Sequence, residues 1–293
     1  MIISNVIGGL GNQMFQSAAG HALAKTKGQA PHLLDMSSFS DYRLHNGFEL
    51  ARVFAGPFFL AQKKDVHRVL GWRAYLPVRR VLMRRHMDWA RGHAFVVEPH
   101  FNYWEDLFSV PDDCYLTGYW QSEQYFKRIE SIIRQTFAFI HPLSGKNSEV
   151  AENILKGQAV SLHIRRGDYV KDAKTNATHG LLSLSYYKTA VAYVAQAIRN
   201  PRFFVFSDDI DWARKNLRLE FPCEYIDHNQ GAESYRDMQL MSLCDHHIIA
   251  NSSFSWWGAW LNRRPDKIVI GPKNWFTRPN MLGDLFPQGW TIL

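Results

Sequence analysis

AVSLHIRRGDYV, residues 159–170, opens as an unbroken apolar run and closes on two arginines, a glycine, an aspartate and a tyrosine. A short apolar run without polar alternation marks a strand covered on both faces, as in a parallel sheet flanked by helices. The strand period of two puts His163 and Arg165 on one face and Ile164 and Arg166 on the other. A guanidinium at the end of a buried strand is costly unless an anion meets it. Two kinds of anion fit. One is a ligand phosphate or diphosphate, whose oxygens match the guanidinium fork; the other is an internal carboxylate, with Asp168 the natural partner for Arg166.

The flanking sequence supports the parallel sheet. A helix is expected over residues 185–199, then a strand in RFFVFS (202–207), a short helix over 211–217 and a strand over 223–226. A helix over 234–244, a strand over 246–250, a helix over 254–261 and a strand over 267–270 follow. Strands alternating with helices predict a doubly wound α/β fold. The N-terminal half starts the same way: a strand over residues 2–7, the turn Gly8-Gly9-Leu10-Gly11, and a helix from Asn12. Further on, a strand is expected over 114–119 and a helix over 124–137, with residues 45–115 irregular. Two sheets meeting near residues 140–158 divide the chain into domains 1–150 and 151–293. Ligands in such folds bind at the carboxyl ends of the strands, here in a cleft between the domains.

Four loops fall at those ends. Gly8 to Gln13 is a glycine turn whose helix offers free N–H groups to an anion, or simply a tight turn; it lacks the third glycine of a dinucleotide fingerprint. The second is the Arg165-Arg166-Gly167-Asp168 turn. The third, Ser207-Asp208-Asp209, offers a carboxylate to a purine edge or a cap to the next helix. Asp209-Ile210-Asp211 is formally a DxD metal pattern, but Asp211 stands in the capping slot and arginines already neutralise a diphosphate. The fourth, Asn251-Ser252-Ser253-Phe254, combines hydroxyls with a helix N-terminus suited to phosphate.

The totals exclude several classes. Three widely spaced cysteines make neither a disulfide scaffold nor a zinc site, and favour a reducing cytoplasm. No run reaches membrane-spanning length, and the N-terminus reads as a first strand rather than a leader. The formal charge of +7 is local: residues 63–91 hold nine Lys or Arg against Asp65 and Asp88, and the remainder balances at 25 to 25. Trp72, Tyr75, Leu76, Val81, Leu82, Met83 and Trp89 interleave with those cations. The mixture suits peripheral contact with an anionic membrane surface, or else a solvated helix face with a buried apolar side. No nucleic-acid-binding module accompanies it.

Taken together, GGLGNQMFQ, GYWQSEQYF, HIRRGDYV, FSDD and NSSFSWWGAWL resemble the α-1,2-fucosyltransferases, in family order from Gly8 to about Leu261. The resemblance implies an inverting, GDP-fucose-dependent enzyme with a GT-B-type fold, two Rossmann-like domains facing a cleft. The donor would occupy the C-terminal half, no metal would be needed, and the acceptor would be a galactose-containing glycan. It implies that Arg165 binds the diphosphate, that His163 lines the nucleotide and that Asp208 contacts guanine. Asn251, Ser252, Ser253 and Phe254 would form the phosphate and base pocket. Asn12, with Gln13 beside it, would reach toward the diphosphate or the fucose, and Arg166 would join the diphosphate clamp. Asp168 is the expected general base, with Asp172 and Glu123 as rivals. Two other readings share these residues: a transferase for a different nucleotide sugar, and a nucleotide-binding protein without turnover.

Overall fold

The structure, a computed structural model, describes residues 1–41, 46–167, 170, 176–178, 180–277 and 283–293. It separates into two compact units. The first is Met1–Ile140 with Gly283–Leu285, and the second is His141–Leu282 with Phe286–Leu293. The chain therefore returns to the first unit for three residues before it ends in the second. Within the first unit Asp284 is tied in: its backbone carbonyl accepts from Ser122 Oγ (2.9 Å) and its carboxylate from the Tyr103 N–H (3.2 Å).

The first unit holds a four-stranded parallel sheet, ordered β2-β1-β4-β3. β1 is Ile2–Asn5, β2 His32–Asp35, β3 Phe95–Val97 and β4 Cys114–Thr117. The helix Leu10–Thr26 follows β1 and buries Met14, Phe15, Ala18, Ala19, Ala22 and Leu23. It packs so closely that a Cβ on Gly20 would lie 2.1 Å from Ser4 Oγ. The basic region is built of short helices, Lys63–Leu70, Leu76–Leu82 and Asp88–Arg91. Arg79, among its cations, is internal. Arg79 is buried against the Asp35 carboxylate and donates to Ser37 Oγ (2.8 Å), while the Tyr115 hydroxyl donates to the same carboxylate (2.7 Å). Burial alone would raise the Asp35 pKa; the Arg79 charge and the hydrogen bonds outweigh it and hold the carboxyl below its usual range.

The second unit holds a six-stranded, wholly parallel sheet ordered β10-β9-β8-β5-β6-β7. β5 is Gln158–Ile164, β6 Pro201–Ser207, β7 Cys223–Ile226, β8 His246–Ile248, β9 Val269–Gly271 and β10 Thr291–Ile292. β5 is central, and its two faces meet different helices. Val160, Leu162 and Ile164 pack with Tyr187, Ala190 and Val194 of the helix Leu184–Ala197. Ala159 joins Val150 and Ile154 of Lys146–Ile154 and Leu240 and Met241 of Tyr235–Leu243. That double coverage also buries two polar residues of β5, Ser161 and His163, with Ser161 Oγ hydrogen-bonded to His247 Nδ1 at 2.8 Å. Trp256, Trp257 and Trp260 pack into one another at ring separations of 5.1–6.3 Å, so these rings of the helix Ser253–Leu261 are core.

The helix expected over 124–137 is broken. Tight 3-10 turns occupy Glu123–Tyr125 and Lys127–Ile129, and α-helix runs only from Glu130 to Thr136. Ser122 caps the first of these turns, its hydroxyl accepting from the Gln124 N–H at 3.3 Å, and Tyr125 and Phe126 are both buried there. Among the described residues, no helix is long and apolar enough to cross a membrane.

Candidate active site

In the second unit, β6 and β7 extend the sheet to one side of β5, and β8, β9 and β10 extend it to the other. The β5–β8 boundary is thus the topological switch point, where open α/β sheets bind ligands beyond the strand carboxyl ends. The residues delivered there are Arg165 to Gly167 from β5 and Ala250 to Ser253 from β8.

The two arginines part company. Arg165 lies 3.2 Å from Asp208 Oδ2, each side chain 23% exposed, so the pair keeps a solvent-facing edge. Arg166 turns inward. Its guanidinium lies 3.7 Å from the Trp212 ring centroid and 3.7 Å from Asp209 Oδ2. Asp209 is thus the carboxylate beside it among the described residues, and Asp168, the expected partner, lies outside them. Asp209 also caps the helix Ile210–Asn216, accepting from the Trp212 N–H at 3.3 Å, so the cap is Asp209 and Asp211 lies inside the first turn. Asp208 completes the turn by accepting from the Arg166 N–H at 2.8 Å. A Cβ on Gly167 would sit 2.9 Å from Asp208 Oδ2, which is why a glycine follows the arginines. Both Asp208 oxygens thus have protein partners, and the carboxylate braces Arg165 from behind.

His163 is buried, 5.9 Å from the Phe254 ring, and its Nδ1 has no hydrogen-bond partner among the described residues. Burial lowers its pKa to about 4, with Arg165 adding to the effect and Asp208 opposing it. The imidazole is neutral at pH 7, poised beside the arginine with one nitrogen unspent. Asn251 is a buried brace, donating to the backbone carbonyls of Gly180 (3.2 Å) and Trp275 (3.4 Å). Ser252 caps the helix Ser253–Leu261, its hydroxyl accepting from the Phe254 N–H at 3.3 Å. Ser253 and Phe254 are half-buried at that helix start.

In the first unit, the switch point lies between β1 and β4, since β2 flanks β1 on one side and β4 on the other. Gly8 has φ +90, and a Cβ there would meet Asn12 Nδ2 at 2.9 Å. Asn12 accepts from Gln121 Nε2 at 2.8 Å. Gln13 is fully buried and spent on backbone. It donates to the carbonyls of Gly8 (2.9 Å) and Gly47 (2.7 Å) and accepts from the Glu49 N–H (2.9 Å). It fixes the loop, while its neighbour Asn12 stays half-buried at the rim.

Sequence reasoning missed Glu98. It follows β3 and accepts from the N–H groups of Tyr119 (2.7 Å) and Trp120 (2.9 Å), just beyond β4. Burial raises its pKa to about 7, although both hydrogen bonds pull the other way. No local signal marks it, because β3 is three residues long in a stretch without a motif. Of the expected bases, Asp168 and Asp172 lie outside the described residues, and Glu123 pairs with Lys127 at 3.2 Å. Among the described residues, no group of three or more His, Cys, Asp or Glu is placed to hold a metal ion.

A buried histidine beside a partly exposed arginine at a switch point fits a nucleotide diphosphate, and the sequence comparisons name the class of enzyme. The family model of glycosyl transferase family 11 matches residues 88–293. The chain belongs to that family.

This family 11 glycosyltransferase is 33% identical over 296 residues to an α-1,2-colitosyltransferase of Escherichia coli, covering 99% of this chain and 98% of the relative. It is 32% identical to the O-antigen biosynthesis glycosyltransferase WbnK of the same species, covering 93% and 94%. The bovine galactoside 2-α-L-fucosyltransferase SEC1 is 28% identical over 88% of this chain and 63% of its own length. Among solved structures, NodZ α-1,6-fucosyltransferase soaked with GDP-fucose superposes with a TM-score of 0.55 at 15% identity, over 92% and 94% of the two chains. An Arabidopsis thaliana FUT1 mutant in complex with GDP gives a TM-score of 0.50 at 13% identity, over 94% and 71%. At such identities the likeness is one of fold, and the glycosyltransferase has the GT-B-type α/β fold, each unit built on a parallel sheet.

Proposed function

We propose that this glycosyltransferase moves L-fucose from GDP-β-L-fucose to the 2-hydroxyl of a galactosyl residue, with inversion to the α-linkage. The observation that carries the reading is Arg165, braced by Asp208 and keeping a solvent-facing edge at the strand ends of the second unit. In a single displacement, the bond from the acceptor oxygen to the anomeric carbon forms as the bond from that carbon to the diphosphate oxygen breaks. GDP leaves with the bonding pair, and the acceptor proton passes to a base. Negative charge grows on the departing diphosphate, so a fixed guanidinium stabilises the transition state more than the ground state. Neutral His163, with Nδ1 unspent, supplies a hydrogen bond to the nucleotide without further charge. The N–H groups at the start of the helix Ser253–Leu261, with the Ser252 and Ser253 hydroxyls, support the phosphate and base pocket. Asn12 takes the acceptor-side rim, and Asp168, next but two to Arg165, takes the acceptor proton.

A second donor is favoured by one finding: a relative 33% identical over nearly the whole chain is named a colitosyltransferase. Colitose is fucose without its 3-hydroxyl, so both sugars pose the same leaving-group problem. The deciding experiment incubates the enzyme with a β-galactoside and, separately, GDP-fucose, GDP-colitose, UDP-galactose or ADP-glucose, with product linkage read by NMR. Transfer from a GDP-deoxyhexose to O2 of galactose is expected. Transfer only from a UDP- or ADP-sugar, or GDP binding with no transfer from any donor, refutes the assignment.

A further inference from the structure

The basic region is left unused by the chemistry above, and its side chains decide between the two readings its sequence allows. A solvated helix face with a buried apolar side would hide the aromatic rings. Instead Trp89 is 83% exposed, Tyr75 63% and Trp72 57%, and Val81 is exposed beside them. The buried apolar groups are others: Val66, Leu70 and Leu82, which pack on Ile3, Phe95 and Tyr115. The segment thus has a filled inner side and a second, outward aromatic set.

That outward set is held together. The Arg73 guanidinium covers the Trp72 ring at 4.6 Å, and Arg73 Nε donates to the Ala90 carbonyl at 2.7 Å, tying the Trp72 turn to the helix that bears Trp89. Tyr75 meets the His67 ring edge-on at 6.0 Å. Arg91 donates to the Leu82 and Arg84 carbonyls, at 2.6 and 2.8 Å, fixing the remaining turn. Lys63, Lys64, Arg68 and Arg80 are exposed on the same small helices, and Arg84 is exposed in the bend after Leu82. Both acids of the segment are occupied: Asp65 accepts from the Gln62 N–H at 2.8 Å, and Asp88 pairs with Arg91 at 2.6 Å.

We propose that residues 63–91 form a docking surface for an anionic lipid bilayer, with Trp72, Tyr75 and Trp89 entering the headgroup layer and the Lys and Arg side chains meeting the acidic lipids. The chemistry selects a bilayer over a soluble polyanion. Trp and Tyr are the side chains that partition to a membrane interface, and exposed rings ringed by cations lose apolar surface to lipid while gaining charge pairing. A nucleic acid or acidic protein would use the charges and leave Val81 and the outer edges of the indoles wet. The surface lies within the first unit and stands whether or not the donor assignment above holds.

The test is cosedimentation of the full chain with vesicles of phosphatidylcholine alone, and of phosphatidylcholine mixed with phosphatidylglycerol. Binding to the anionic vesicles is expected at least about tenfold stronger, weakening as salt is raised, because each basic side chain near such a surface contributes roughly fivefold. Trp72→Ser with Trp89→Ser should weaken vesicle binding about tenfold yet leave heparin binding and melting temperature unchanged, since both rings are exposed. Lys63→Glu with Lys64→Glu should weaken both. Equal binding to neutral and anionic vesicles, or no binding to either, overturns the proposal. So does a tryptophan pair whose loss leaves vesicle binding intact, which would mark a general polyanion site. If the tryptophan variant misfolds, the wild-type vesicle comparison and the lysine variant still decide.

Discussion

Asp208 and Arg165 offer the sharpest test of how the site works. At 3.2 Å their attraction is about 5 kcal/mol for an effective dielectric near 20. Each side chain is 23% exposed, so solvent screening leaves roughly 1–2 kcal/mol. Asp208→Asn keeps an oxygen for the Arg166 N–H and removes only the charge, so the turn should hold while Arg165 loosens. A loss of 1–2 kcal/mol of positioning corresponds to a fall in kcat/KM of about five- to thirtyfold. Arg165→Ala removes the diphosphate donor itself, and comparable donors are worth about a hundred- to thousandfold. If Asp208 works through Arg165, the double variant should be scarcely slower than Arg165→Ala alone, a coupling of about 1–2 kcal/mol. The assay is fucosyl transfer to lactose at varied GDP-fucose, with melting temperatures as the folding control. Multiplying losses would sink the brace. They would indicate that Asp208 touches the ligand directly, as a guanine contact would, and the discrimination between GDP and ADP should then collapse in Asp208→Asn.

The other expectations are briefer. Gly167→Ala should slow transfer by about tenfold with little change in GDP affinity, because the new methyl displaces Asp208 from Arg165; unchanged kinetics would show that the turn adapts freely. Gly20→Ala should cost about 3 kcal/mol or more, since its Cβ would sit 2.1 Å from Ser4 Oγ; a melting curve like that of the wild type would contradict the packing. If, as proposed, Arg165 and the helix start carry the diphosphate, transfer should survive EDTA; loss of activity restored by a divalent ion would oppose this. Glu98 sets a pH dependence. Its folded pKa of about 7 exceeds the ordinary glutamate value of 4.5, so the folded state binds the proton more tightly. Its stabilising contribution is full below pH 4.5 and disappears as pH rises through 7, by up to roughly 3 kcal/mol. Glu98→Gln should flatten the melting temperature across that window, and a wild-type slope that the substitution leaves intact would place the titration elsewhere, for instance at buried Asp237, also raised to about 7.

The second unit was legible because two of its strands are long and apolar and clear helices separate the elements. β5 and β6 run seven residues each, and residues 159–164 and 202–207 announced them. The first unit was harder. β2 and β3 are four and three residues long, and each forms only because β1 and β4 stand beside it, a non-local cause that no local pattern records. The site followed the same division. Arg165 and His163 could be read from strand period alone, whereas the separate fates of the arginines depended on Asp209 and Trp212, more than forty residues downstream. Gln13 and Asn251 sat beside the right turns, but the sequence could not show that backbone carbonyls had already claimed their amides.

The brief return of Gly283–Leu285 to the first unit bears on engineering. The simplest chimera between two family members is joined at one splice. Here a single splice near residue 140 would graft a foreign tail segment onto the native Ser122 hydroxyl and Tyr103 amide, both of which are matched to Asp284. A faithful hybrid needs two further seams, one on either side of that tripeptide, so that the two units are exchanged as interleaved rather than consecutive pieces.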